Sequence, residues 1–154
     1  MTIYTAKTSY DAKHPDALAI YCSDGRFTDA IEELLHSLGH PRLDTLTLPG
    51  GPALLDLGSA SFSALEAARS SASFLIRAHA TKRAVLIAHE GCGYYRDRHR
   101  FETPEQVLRQ QVADLRTAGE WLTSVHPGLT ITLYLAQPEK GKVRFQPVAL
   151  EDTK

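Results

Sequence analysis

The sequence predicts an α/β fold with a mainly parallel central sheet flanked by helices. Three observations carry this. Short apolar runs of strand length recur at 17–21, 84–88 and 129–136. Segments with apolar residues at helical spacing lie between them. Glycine and proline punctuate the joins. Strands that alternate with helices are the pattern of crossover connections in a parallel sheet.

Taken in order, Ala17 to Tyr21 reads as a buried strand, and Ser23-Asp24-Gly25 as a turn. A helix follows with Phe27, Ile31, Leu34, Leu35 and Leu38 on one face, stopped by Gly39 and Pro41. Asp44 to Leu48 is a second strand, and Pro49-Gly50-Gly51-Pro52 an ordinary loop that lacks the lysine of a phosphate loop. A long helix is expected from near Ser59 to about His79, burying Phe62, Leu65, Ala72, Leu75 and Ile76. Ala84 to Ala88 is the clearest strand of the chain. Thr103-Pro104-Glu105-Gln106 carries the cap, the first-turn proline and the capping-box glutamine of a helix start. That helix buries Leu108, Val112, Leu115 and Leu122 and ends at Pro127-Gly128. Leu129 to Ala136 is a strand, Glu139 to Lys142 a turn, and Val143 to Val148 an edge strand.

Bulk composition narrows the function classes. The 154 residues, with no repeat or compositional break, suit one domain spanning 1–154. A formal net charge of −1 implies no field for nucleic acid or an anionic membrane. Arg96, Arg98 and Arg100 cluster, but Asp97 and Glu102 dilute them into a solvated face. No apolar run is long enough to span a bilayer, and Met1 to Lys13 has no signal-peptide core, so a cytoplasmic location is expected.

Chemistry concentrates on the two cysteines, Cys22 and Cys92. Two free thiols in such a protein suggest metal binding or catalysis before a disulfide. His89 stands three residues before Cys92, and Cys22 and His89 each follow an apolar strand directly. In parallel α/β sheets that is the ligand-binding end. Zinc favours thiolate and imidazole ligands, and a catalytic zinc keeps three protein ligands and one open position. Cys22, His89 and Cys92 supply that set. Asp24 lies two residues past Cys22, within reach of the metal or its water, and Arg26 can pair with Asp24 and hold it ionised.

The pattern Cys22-x-Asp24-x-Arg26, followed by His89-x-x-Cys92-Gly93, resembles the signature of the β-class carbonic anhydrases. The resemblance covers most of the chain. It implies a zinc held by Cys22, His89 and Cys92, with Asp24 and Arg26 as catalytic residues beside it. It further implies reversible hydration of CO2 to bicarbonate and assembly as a homodimer or higher homo-oligomer. Three departures stand out. Only 21 residues precede Cys22, so the family's N-terminal helical arm is short or absent. Leu48 to Ala53 replaces the usual segment there, and Glu90 stands where a small hydroxyl residue is customary.

Other readings compete with this one. Relatives of the family hydrolyse carbon disulfide or carbonyl sulfide with the same ligands. If Asp24 closed the fourth position permanently, the chain would be a non-catalytic zinc protein. Cys92 and Arg98, six positions apart, have the spacing of a thiolate phosphatase, but Tyr94, Tyr95 and Asp97 suit a phosphate cradle poorly. His99 is a candidate proton shuttle. Tyr94 and Tyr95 either line a pocket or cover the sheet end.

Overall fold

The computed structural model describes residues 2–98 and 102–150. His99 and Arg100 lie outside the described residues. Five strands form one sheet: β1 (Ala17–Cys22), β2 (Asp44–Leu48), β3 (Arg83–His89), β4 (Thr130–Glu139) and β5 (Lys142–Val148). Among the described residues, four α-helices accompany them: α1 (Thr28–Ser37), α2 (Phe62–Ala78), α3 (Gly93–Arg98) and α4 (Pro104–Val125). The strand order is β2-β1-β3-β4-β5. The first four run parallel, and β5 pairs antiparallel with β4 as an edge.

The central strands β1 and β3 are buried on both faces, which explains their continuous apolar runs. Alternate residues of each strand face opposite layers. Leu18, Ile20, Leu86, Leu133 and Leu135 meet Leu65, Ile76, Leu115 and Leu122 from α2 and α4. Ala19, Tyr21, Val85 and Ile87 meet Phe27, Ile31 and Leu35 on the α1 side. Each large aliphatic side chain so buried contributes about 2 kcal/mol of hydrophobic stabilisation. The expected capping box of α4 is present, with Thr103 and Gln106 exchanging hydrogen bonds.

Three expectations require correction. Phe62 is 74% exposed rather than buried. Ser61 caps α2, so Phe62 is its first residue, and the buried stripe of Leu65, Ala68, Ala72 and Ile76 begins a turn later. Leu38 follows α1 as its cap and is 37% exposed, outside the buried stripe of Ile31 and Leu35. The Pro49–Pro52 loop turns into a buried 3-10 helix, Gly51–Leu55, that packs under the sheet end.

The chain moves from β1 to β2 on one side, then returns to place β3 on the other side of β1. The strand order therefore reverses between β1 and β3. Open parallel sheets bind ligands beyond the carboxyl ends of their strands at such a reversal. Cys22 is the last residue of β1 and His89 the last of β3.

Candidate metal centre

Register brings the two strand-end residues together. Tyr21 pairs with Ile87, so Cys22 and His89 leave adjacent strands one residue apart. After His89 the chain turns through Gly91, at a φ of +71°, and Cys92 comes back over the sheet end to start α3. The donor atoms of Cys22, His89 and Cys92 lie within 4.8 Å of one another, all buried.

The sulfurs are 3.7 Å apart. A disulfide needs about 2.05 Å, and both cysteines are free. A tetrahedral ion with its usual bond lengths to sulfur and nitrogen would set its donors roughly 3.5–3.8 Å apart. His89 Nδ1 lies 3.0 Å from the Glu90 carbonyl, so it carries the proton and donates. Nε2 then keeps its lone pair, and it is buried with no hydrogen-bond partner among the described residues. An orphaned imidazole nitrogen beside two sulfurs is the donor set of a Cys2His zinc site, and the fit is good.

Electrostatics agree. The contact with Cys92, assisted by the Gly50 amide, draws the Cys22 thiol well below its ordinary value. The same contact and burial push the Cys92 thiol up. Two thiols this close share one proton until a cation takes its place.

Backbone and neighbouring side chains hold Cys22 and His89. Gly50 N–H donates to Cys22 Sγ at 3.4 Å. Gly50 has a φ of +86°, and a β-carbon there would lie 2.6 Å from Tyr94 Cδ1. Only glycine brings that N–H so near the sulfur. The His89 ring packs against Phe27, with centroids 4.2 Å apart. Gln111 Nε2, fully buried on α4, donates to the His89 carbonyl at 2.6 Å.

Asp24 and Arg26 pair as expected. Arg26 Nη2 lies 2.5 Å from Asp24 Oδ2, and Arg26 Nε 2.9 Å from Oδ1. The guanidinium holds the Asp24 carboxyl at about 2, well below its ordinary value. Asp24 Oδ2 is 3.9 Å from His89 Nε2, yet Asp24 does not join the three-donor group. Glu90 points away, accepting a hydrogen bond from Gln137 Nε2 at 3.1 Å. Arg98 lies over the Tyr94 ring, 5.2 Å from its centroid, and donates to the Tyr94 hydroxyl. That contact, with Cys92 buried against Cys22, leaves no phosphate cradle.

A recess of about 260 Å3 reaches Cys92, with Pro104, Val107 and Leu108 among its walls. A larger groove of about 820 Å3 runs between α1 and the β4–β5 hairpin, and it meets the centre only through Arg26 and Phe27. Of these two, the smaller recess is the one that touches a donor residue, Cys92.

Sequence reasoning missed Gly50, Ser59, Tyr95, Gln111 and Asp114 as supports. Tyr95 and Asp114 are fully buried, and the Tyr95 hydroxyl donates to Asp114 Oδ2. One signal was available. Gln111 and Asp114 stand on the buried side of α4 with Leu115, Ala118 and Leu122, where uncharged apolar residues are the rule.

Comparisons with known proteins define the fold class. No protein-family model matches the sequence, and no curated protein matches it. Solved structures do. A β-carbonic anhydrase of Aspergillus fumigatus aligns with a TM-score of 0.55 at 19% identity, over 89% of this chain and 77% of its own. One of Trichomonas vaginalis aligns with a TM-score of 0.55 at 14% identity, over 90% and 87%. One of two tetrameric β-carbonic anhydrases of Sordaria macrospora aligns at 0.53 and 15%, over 90% and 84%. The chain thus has the β-carbonic anhydrase fold, and its Cys22–His89–Cys92 cluster fits a metal. Among the described residues, no helix is long and apolar enough to cross a membrane.

Proposed function

We propose that this chain is a zinc-dependent carbonic anhydrase that hydrates CO2 reversibly to bicarbonate. The observation that carries the reading is the donor set. Three buried ligands converge, and the nearby carboxylate that could make a fourth is held off by Arg26. Three protein ligands with one free position mark a catalytic zinc rather than a structural one.

Cys22, His89 and Cys92 would hold the ion. When bound, zinc supplies a Lewis acid that acidifies water enough to serve as a nucleophile near neutral pH. The chain's own groups do the rest. Asp24, kept ionised by Arg26, is an acceptor able to orient the attacking water's proton away from the carbon of CO2. Arg26 is half of that device, since its two-point grip fixes the carboxylate plane. Gly50 N–H offsets charge on Cys22, and Gln111 and the Glu90 carbonyl fix His89.

Stopped-flow hydration of CO2 with a pH indicator tests the reading. Zinc-loaded protein should accelerate hydration, and Asp24→Asn should keep its zinc while losing most of the rate, because an amide can donate where an acceptor is needed. Full zinc with no hydration above buffer between neutral pH and about 9 would refute it. Carbon disulfide and carbonyl sulfide are then the substrates to assay.

We further propose a homodimer or larger homo-oligomer. The outer edges of β2 and β5 have no strand beyond them among the described residues. A monomer by light scattering at micromolar concentration would count against it.

A further inference from the structure

We propose that Asp114 is a positioning residue for the thiol half of this centre, acting on Cys92 through Tyr95 and on the Cys22 side through Ser59. The proposal deepens the zinc reading above and rests on it.

Asp114 is fully buried on α4. A carboxylate there needs its lone pairs filled. The Tyr95 hydroxyl and the Ser59 hydroxyl both donate to Oδ2, Ser59 at 2.6 Å, and Gln110 Nε2 donates to Oδ1 at 2.6 Å. These donors come from three separate pieces of backbone. Tyr95 belongs to α3, Ser59 to the segment after the 3-10 helix, and Gln110 to α4 itself.

Two of those pieces shape the sulfur side of the site. Helix α3 grows directly from Cys92, whose carbonyl accepts from Arg96 N–H at 3.1 Å. A helix of six residues has little propensity to hold itself in place. Its anchor is the buried Tyr95 side chain, which packs with Cys22, Ala53 and Cys92 and ends on Asp114. The other piece begins at Gly50, whose N–H donates to Cys22 Sγ, and ends at Ser59. Ser59 is tied twice, because its carbonyl also accepts from the Tyr94 hydroxyl at 2.6 Å.

One buried carboxylate therefore joins α3, α4 and the Gly50–Ser59 segment. It lies outside the donor group, so it acts on where the sulfurs stand rather than on the metal. His89 is held separately, by Gln111 and the Glu90 carbonyl. Outer partners of metal ligands are worth about ten- to a hundredfold in metal affinity, and Asp114 fills that role for the thiols.

The test uses the full chain as wild type, Tyr95→Phe and Asp114→Asn, each checked for folding by circular dichroism. Zinc affinity is read by competition with a chromophoric chelator. Cobalt substitution reads the geometry, through the d–d bands and the thiolate-to-cobalt charge transfer. Wild type should bind one equivalent of either metal. Tyr95→Phe should weaken zinc on the order of tenfold or more and shift the cobalt bands. Asp114→Asn should shift both in the same direction by less, since its amide oxygen still accepts and Gln110 can turn its own amide. The double variant should fall short of the sum of the two single effects, because both act on the Tyr95–Asp114 contact, while Asp114→Asn also touches Ser59. If Tyr95→Phe does not fold, the cobalt spectrum of Asp114→Asn decides. Variants that unfold at lower temperature yet match wild type in zinc affinity and cobalt spectrum would overturn the proposal and leave the centre standing. Failure of wild type to bind either metal would overturn the centre, and this proposal with it.

Discussion

Gly51→Ala is a sharp test of how the centre is built. Gly51 has a φ of +52°, and a β-carbon there would lie 2.6 Å from the Cys22 nitrogen and 2.6 Å from the Tyr21 carbonyl carbon. The left-handed conformation costs a residue with a β-carbon about 1–2 kcal/mol. The overlap is with backbone of β1, which is paired on both sides and has no room to retreat. Overpacking of that kind costs about 1–3 kcal/mol. The stiffer unfolded chain of alanine returns at most about 1 kcal/mol. The net loss is therefore roughly 1–4 kcal/mol. In urea, with a slope near 2 kcal/mol/M, the midpoint should fall by about 0.5–2 M. Gly128→Ala is the comparator, because a β-carbon there meets nothing within 4 Å and its φ is not positive. It should leave the midpoint unchanged or raise it slightly. Strain in Gly51→Ala falls on Cys22, so its zinc content should drop as well. Coincident midpoints for the two variants would refute the close approach on which this reasoning depends.

Metal removal should destabilise the fold. A bound ion cross-links residues 70 apart in sequence, a constraint worth at most roughly 4 kcal/mol by loop-closure entropy. Chelated protein should melt about 10 °C lower, and superimposable melting curves would contradict this. Asp114 should give stability an acid-side slope. Burial, with a smaller push from Asp56, raises its carboxyl above the ordinary value. The folded state then keeps this proton to higher pH than the unfolded state does. Its contribution is fully present below the unfolded pKa of about 3.9 and is lost as pH rises through the raised folded value. Urea midpoints against pH should lose this component in Asp114→Asn, and identical profiles would argue against it.

The parts legible in the sequence share a physical cause. β1 and β3 are buried on both faces, so their residues are almost uniformly apolar and stand out from any flanking pattern. The convergence of Cys22, His89 and Cys92, and the pairing of Asp24 with Arg26, were legible because these residue types stand at short spacings beside those strand ends. The 3-10 helix Gly51–Leu55 was not, since proline and glycine mark a turn without saying whether it is buried. Phe62 misled because periodicity shows which face of a helix is apolar and not where the sheet beneath it begins. Helix α3 was missed because six residues, half of them charged, carry no stripe, and tertiary contacts through Tyr95 hold it. The Asp24–Arg26 pair was readable from spacing. The supports at Asp114 and Gln111 required knowing which face of α4 meets the centre.

The parallel register that sets Cys22 beside His89 also decides how the molecule would bear a load. An ion joining Cys22 to Cys92 encloses every residue between them, including α1, β2, α2 and β3, in one closed loop. Pulled from its two ends, the loaded protein could pay out only the chain outside that loop until a metal–sulfur bond ruptured. The hidden length is 70 residues, roughly 240 Å when fully extended. A single-molecule trace of the loaded protein would fall short of the stripped protein by that length, then release it in one step.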